Sequence, residues 1–326
     1  MAKLNMVQAI NLALDQEMAR DSRVIMMGED IGVNGGVFRA TDGLFAKYGE
    51  ERVIDSPLAE AGIVGSALGM AIAGLIPVVE IQFAGFSYIA FGQLESNVSR
   101  YRWRTQGLYT APMVVRMPYG AGVHAIEHHS ESREAYFAHT PGLKVVTPST
   151  PRNARALLVS AIRDPDPVIF LEPTKSYRAF KEEVPEEEES YPIGKAEIVQ
   201  EGSDLTLVSF GAMMRVALKA VEELQKQRKI GIELIDLLTI SPLDIDTLCT
   251  SVKKTGRLVI VQEAPGSFSV ASEIIALIND KALMSLKAPI KRVTGYDMVI
   301  PYFFREEMYL PHPEQVVRAI EETLSY

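Results

Sequence analysis

What most restricts the fold of this chain is a repeating rhythm. Short apolar runs bounded by proline or glycine recur along it: "VIMMG" at 24, "PVVEIQF" at 77, "PMVVRMP" at 112, "LKVVTP" at 143 and "PVIFLEP" at 167. Helical patterns lie between several of them. Asn5 is placed to cap a first helix whose apolar face is Met6, Ile10, Leu14 and Met18. "PRNARALLVSAIRD" begins with Pro151, at the helix position where a missing N–H costs nothing. Strands that are apolar throughout must be covered on both faces. Alternated with helices, they imply a mostly parallel sheet between helix layers. The expected class is α/β, doubly wound.

The rhythm breaks once. "KEEVPEEEESYPIGK" (181–195) is acidic and carries two prolines, so it reads as an exposed linker. Beyond it the alternation resumes with "LTLVSFG" (205), "MMRVALKAVEELQKQ" (213), "IELIDL" (232), "LVIVQEA" (258), "SVASEIIALIND" (269) and "IKRVTG" (290), and a last helix follows in "HPEQVVRAIEETL". A chain of 326 residues is too long for one ordinary core. The expected organisation is two doubly wound domains, residues 1–180 and 203–326, joined by a linker over 181–202.

The net charge of −9 argues against a nucleic-acid backbone or an anionic membrane as the main partner. A single cysteine, Cys249, excludes an internal disulfide framework and a cysteine-rich metal site, and it suits a reducing compartment. "MAKLNMVQAINLALDQEMARD" has no apolar signal core, and no stretch is long and apolar enough to span a bilayer. A cytoplasmic protein is expected.

Four of the five histidines, His124, His128, His129 and His139, fall within sixteen residues of a glycine-rich segment that follows a strand. A loop at a strand end is where doubly wound folds bind ligands. "HAIEH" also fits H-x-x-E-H, so a zinc peptidase using His124, Glu127 and His128 is an alternative. That motif needs both histidines on one helix face, and Pro118, Gly120 and Gly122 lie close before it. Nucleotide signatures are missing: "GIVGSALG" spaces its glycines differently from G-x-G-x-x-G.

"SPLAEAGIVGSALGMAIAGLIPVVEIQF" (56–83) reads as a small-residue helix and then a strand. Ala61, Gly65, Ser66, Gly69 and Ala73 leave one helix side nearly flat, which suits tight packing within the subunit or a contact between subunits. Glu60 stands at the front of this helix. An acid there is favoured by the helix dipole and needs no other duty. Yet Leu58, Ala59, Ala61, Gly62 and Ile63 offer it no cation, and a desolvated carboxyl of this kind can share a proton with a heterocyclic nitrogen. Glu80, in the following strand, is expected to be a structural acid.

"GEDIGVNGGVFRATDGL", "RVIDSPLAEAGIVGSALGMA", "EIQFAGF", "HHSES", "HTPGLKVVTPSTP", "SAIRDPDPVIFLEP", "KAEIVQEGSDLTLVSFG", "KTGRLVIVQEA" and "APIKRVTGYD" resemble the beta subunit of the thiamine-diphosphate-dependent 2-oxo-acid dehydrogenases. These are the decarboxylating first components of the pyruvate and branched-chain 2-oxo-acid dehydrogenase complexes. The resemblance runs in order from about residue 4 to the last residues. It implies a thiamine-pyrimidine-binding domain followed by a transketolase C-terminal-like domain. It also implies an α2β2 heterotetramer, with the cofactor between an alpha and a beta subunit, and a lipoyl-bearing acyltransferase core as partner. The alpha subunit would hold the diphosphate and Mg²⁺ through a Gly-Asp-Gly motif, which this chain lacks. A non-catalytic structural subunit is the remaining alternative.

Residue by residue, the resemblance implies that Glu60 hydrogen-bonds N1′ of the aminopyrimidine, favouring the tautomer whose nitrogen takes the C2 proton. Leu58, Gln82 and Phe86 match positions lining that pocket. His129 matches a histidine near the reacting carbon and the lipoyl group; His128 is at a position where relatives vary. Glu29 matches an acid near the subunit interface, on a candidate proton path between the two cofactors. Ala111, Met113, Val114, Ala161, Asp164 and Asp166 match a structural monovalent cation (K⁺) site built mainly of main-chain oxygens, although relatives often have Asn in place of Asp166. Ile89 and Gly92 replace acids found in some relatives, which removes an acidic relay through that helix. "FLEP", "AEIVQEGSD", "QEAP" and "TGYD" resemble the branched-chain and broad-specificity members slightly more than pyruvate-restricted ones.

Overall fold

The computed structural model describes residues 2–326. In its first half the strands are β1 (Ala2–Leu4), β2 (Val24–Gly28), β3 (Val53–Asp55), β4 (Ile76–Glu80), β5 (Val114–Tyr119), β6 (Lys144–Val146), β7 (Val168–Pro173) and β8 (Glu182–Val184). The second half adds β9 (Glu197–Gln200), β10 (Leu205–Ser209), β11 (Ile232–Asp236), β12 (Thr239–Ser241), β13 (Leu258–Pro265) and β14 (Lys291–Gly295). They make a seven-stranded sheet in the order β12-β6-β7-β5-β4-β2-β3, a five-stranded sheet in the order β14-β13-β10-β11-β9 and a two-stranded pair, β1 with β8. All neighbours in the two larger sheets run parallel except the edge strands β12 and β9. The class is α/β, as the rhythm predicts.

The layering follows from burial. Strands β4, β5, β7, β10 and β11 are buried at every residue, so each needs cover on both faces. On the outer face of the larger sheet, Met6, Ile10, Leu14 and Met18 of the Met6–Arg20 helix pack with Leu157, Leu158 and Ile162 of the Pro151–Arg163 helix. Asn5 caps the first of these: its Oδ1 accepts from the Gln8 N–H at 3.0 Å, and Gln8 Oε1 accepts from the Asn5 N–H at 3.1 Å. A central core joins the two sheets, taking Ile63, Val115 and Leu171 from one side and Val208, Ile235 and Ile274 from the other. The Met213–Gln227 and Pro313–Leu324 helices cover the outer face of the smaller sheet.

Two segments show structure the sequence does not reveal. Residues 181–195, read as an exposed linker, are mostly exposed and are also tied to the first half. Within them β8 pairs antiparallel with β1, and Glu188 and Glu189 form ion pairs with Arg163 and Arg152 of the neighbouring helix. The acidic run has basic partners on the protein surface, which the run itself does not reveal. Second, β12 leaves the C-terminal half and extends the larger sheet beside β6. No helix among the described residues is long and apolar enough to cross a membrane.

Candidate functional site

In a parallel sheet the loops leaving the strand C-termini share one edge. Here β3, β2, β4 and β5 are consecutive neighbours. The segments that follow them carry Glu60, Glu29, Gln82 with Phe86, and His124–His129 in turn. Sheet topology thus brings four segments that are distant in sequence to one edge, where such folds bind ligands.

Glu60 is the first residue of the Glu60–Ile72 helix and is only 4% exposed. Among the described residues none donates a hydrogen bond to its carboxyl. The helix N-terminus supplies a favourable dipole, so an acceptor is held ready in a buried position without a donor. Glu29 faces it: burial first, and then the charges of Glu60 and Asp30, push the Glu29 carboxyl above the usual range. Leu58, just before the helix, is 77% exposed.

Gln82 and Phe86 are half-buried. Phe86 belongs to an aromatic group with Phe83 and His129. The His129 ring stands edge-on to Phe83 at 4.3 Å and to Phe86 at 5.2 Å. Its Nδ1 is buried with no hydrogen-bond partner among the described residues. Ring packing therefore fixes the imidazole while one nitrogen remains unsatisfied. His139 ends a different helix, Glu134–Ala138.

The zinc arrangement is not formed. No helix spans 124–128: His124 has φ of +53°, and only a short 3₁₀ turn, Glu127–His129, follows. The glycines upstream set this path, since Gly120 and Gly122 take φ of +77° and +134°. His124 instead gathers with Glu306 and Glu307, their ligand atoms within 4.8 Å of one another. Their carboxylates already have donors: Lys175 Nζ lies 2.8 Å from Glu307, and Glu306 accepts from the Gly122 N–H and Ser130 Oγ.

Glu80 is held as a structural acid. It pairs at 2.9 Å with Arg116, which also binds Glu172 at 2.7 and 3.1 Å, and Tyr177 donates to Glu172. At the proposed cation positions the carboxylates are occupied too, Asp164 by Lys144 and Asp166 by Arg102. Met113 O and Ala161 O each accept one backbone N–H. Only main-chain oxygens are left to face a cation there. The small-residue helix side is open, with Ser66, Gly69 and Ala73 exposed. A cleft of about 370 Å³ lies elsewhere, lined by Phe38, His124, Lys175, Tyr177, Arg178 and Glu307.

Comparison with known proteins fits this geometry. The transketolase pyrimidine-binding domain family matches residues 2–179, and the transketolase C-terminal domain family matches 194–316. The chain is 49% identical over 326 residues to the pyruvate dehydrogenase E1 component subunit beta of Bacillus subtilis (strain 168), covering 100% of both. It is 49% identical over 322 residues to the Acholeplasma laidlawii protein of the same name, covering 99% of this chain and 98% of that one. The chain belongs to the beta subunits of the thiamine-diphosphate-dependent 2-oxo-acid dehydrogenases. A solved split-gene transketolase, an inactive beta4 tetramer, superposes with a TM-score of 0.81 at 21% identity, covering 99% of each chain. At that identity the match bears on the fold. Members of this family are components of oxidoreductases that work with an alpha subunit. That accounts for an exposed Leu58.

The site's principal surprise lies in the second half of the chain. Glu263, at the end of β13, accepts the Ala121 N–H at 2.5 Å. Together with Glu306 it holds both stems of the histidine loop. Neither acid stands out in sequence, although a carboxylate inside the apolar run "LVIVQEA" is a signal of a buried partner.

Proposed function

We propose that this chain supplies the pyrimidine-side half of an active site that decarboxylates pyruvate and passes the acyl group to a lipoyl group of an acyltransferase core. An alpha subunit would complete the site in an α2β2 assembly and hold Mg²⁺ and the diphosphate. Full-length identity of 47–49% to proteins named for pyruvate supports that substrate over branched-chain 2-oxo acids, which four short segments favour. K⁺ would sit on the main-chain oxygens around Ala111, Met113, Val114 and Ala161. The chain is taken as domains 1–180 and 203–326 joined through 181–202, with β9 lying in the joining segment and β12 crossing to the larger sheet, in a cytoplasmic enzyme.

One observation carries the assignment: a buried carboxylate, Glu60, heads a helix at the ligand-binding sheet edge and accepts no hydrogen bond among the described residues. Thiamine diphosphate, when bound, supplies the carbanion and electron-sink chemistry. Glu60 holds a proton towards the ring nitrogen, and exclusion of water strengthens that contact. Glu29 stands beside Glu60, its carboxyl raised above the ordinary range by burial and by the charges of Glu60 and Asp30. Gln82 and Phe86 orient the ring. His129, braced by Phe83 and Phe86, presents one imidazole nitrogen for proton transfer during acyl transfer.

The test is reconstitution with an alpha subunit, thiamine diphosphate and Mg²⁺, followed by reduction of an artificial electron acceptor across a panel of 2-oxo acids. Pyruvate should be the best substrate, and Glu60→Gln should lower turnover by about 100-fold or more. Full activity in that variant would sink the role of Glu60 and favour a structural subunit.

A further inference from the structure

The histidine loop is held from the other domain. At one stem, the Gly120 N–H donates to the Glu131 carbonyl at 3.0 Å, closing the loop. The Ala121 N–H and Ser132 Oγ, on opposite strands of that stem, both donate to Glu263 Oε1 at 2.5 and 3.3 Å. One turn further in, the Gly122 N–H and Ser130 Oγ donate to the two oxygens of Glu306 at 2.6 and 3.0 Å. The approach is close: a β-carbon on Gly120 would lie 2.8 Å from Glu263 Oε1. Both acids are buried, and both come from beyond residue 260, while the loop they hold carries His128 and His129 at its tip.

We propose that Glu263 is a positioning residue, clamping the stem of the 120–132 loop together with Glu306 and thereby fixing where His129 stands against Phe83 and Phe86. The inference rests on the role given above to His129.

The clamp is also proton-dependent. Glu134, buried at the start of the helix that follows the loop, has no hydrogen-bond partner for either oxygen outside its own residue. It lies near enough to Glu263 for their charges to repel. Burial, more than that repulsion, pushes Glu263 up to about 8, and burial pushes Glu134 up to about 7. The other groups that face them are Lys175 and Arg133, which favour the ionised acids, and the neutral phenols Tyr119 and Tyr309. Near neutrality the pair retains a proton. Above about pH 8 two buried negative charges face each other across the domain junction, and the loop stem loosens.

The experiment compares wild type, Glu263→Gln and Glu263→Ala, each co-expressed with the alpha subunit. It reads hydrogen–deuterium exchange of peptides covering 121–132, corrected for the intrinsic pH dependence, and steady-state kinetics from pH 6 to 9. Glu263→Ala removes the acceptor. It should speed exchange of these amides at least tenfold and lower kcat at least tenfold, with KM for thiamine diphosphate within twofold of wild type. Glu263→Gln keeps an acceptor oxygen and cannot ionise. It should restore exchange and kcat to within threefold at pH 7 and abolish the wild-type loosening above pH 8. Wild-type exchange in Glu263→Ala, unchanged kcat despite a loosened loop, or an unaltered alkaline limb in Glu263→Gln would each overturn the proposal. If Glu263→Ala does not assemble, the pH profile of Glu263→Gln decides alone. A fully active His129→Ala variant would count against the histidine's role, whereas wild-type exchange in Glu263→Ala would count against the clamp itself.

Discussion

Gly85 lies against His128 so closely that a β-carbon on Gly85 would stand 2.1 Å from the His128 carbonyl oxygen. The contact joins the segment after β4, which carries Gln82 and Phe86, to the loop after β5, which carries His129. Two loops of the site are thus packed backbone to backbone, and their spacing is set by the absence of a side chain.

Gly85→Ala tests that spacing. Gly85 is outside the left-handed region, so the effect of the added methyl is steric. The His128 backbone must retreat, taking His129 with it. A displacement of about 1 Å can cost on the order of 100-fold in rate, whereas overpacking costs about 1–3 kcal/mol of stability. The reconstituted enzyme should lose about 10- to 100-fold in kcat while its thermal midpoint falls by only a few degrees. An unchanged kcat would show that the two loops are not rigidly coupled.

Asn5→Ala addresses the capping box of the first helix. Losing the Asn5 side chain leaves the Gln8 N–H without its acceptor, while the reciprocal bond from the backbone N–H of residue 5 to Gln8 Oε1 is retained. Loss of an N-cap costs about 1 kcal/mol. Denaturant unfolding should show a shift of about that size, with activity at permissive temperature unaltered, because this helix packs on the face of the larger sheet away from the central core.

Much of this architecture is legible in the sequence, for a physical reason. A strand buried on both faces must be apolar throughout, as "VIMMG" and "PVIFLEP" are, and a helix packed on a sheet shows its period, as Met6, Ile10, Leu14 and Met18 do. Glu60 stands out because an acid among small apolar residues is costly without a purpose. Its neighbour Glu29 does not, because the pairing depends on β2 and β3 being adjacent, which is a tertiary fact. Strands β8 and β12 are three residues each, too short to show a period, and they are held by partners far along the chain. Glu134 and Glu263 escape for a similar reason: each sits in an ordinary helical or apolar pattern, and only the domain packing makes them face each other.

Asp236 provides a pH-dependent stability test. Burial pushes its carboxyl up to about 7, although Ser149 and the Leu238 N–H donate to it. Unfolded, the group titrates near 4. Folding therefore takes up a proton between about pH 4 and 7. The stability present at low pH is lost as pH rises through this window and stays lost above it. Asp236→Asn mimics the neutral form and removes the titration. The variant should match wild type near pH 4 and exceed it at pH 8 by about 2–4 kcal/mol, measured by denaturant unfolding at both pH values. A constant difference between the two proteins across this range would contradict the assignment.

Arg116 is the only cation in contact with two buried acids, Glu80 and Glu172, among the described residues in that network. Burial first, and then the charge of Glu172, push the Glu80 carboxyl above its usual range, and the guanidinium opposes that push. Arg116→Met keeps much of the side-chain volume and leaves both carboxyls without a counter-charge. Breaking a buried pair in this way costs about 3–5 kcal/mol. The loss should shrink on acidification, because protonated acids no longer need a cation. Adding Glu80→Gln and Glu172→Gln to Arg116→Met should recover most of the stability at pH 7, since the deficit belongs to uncompensated charge and not to lost packing. Thermal unfolding of the single and triple variants at pH 5 and 7 checks both statements. If the triple variant is no more stable than Arg116→Met, the network's contribution is one of shape, and the charge argument for Glu80 fails.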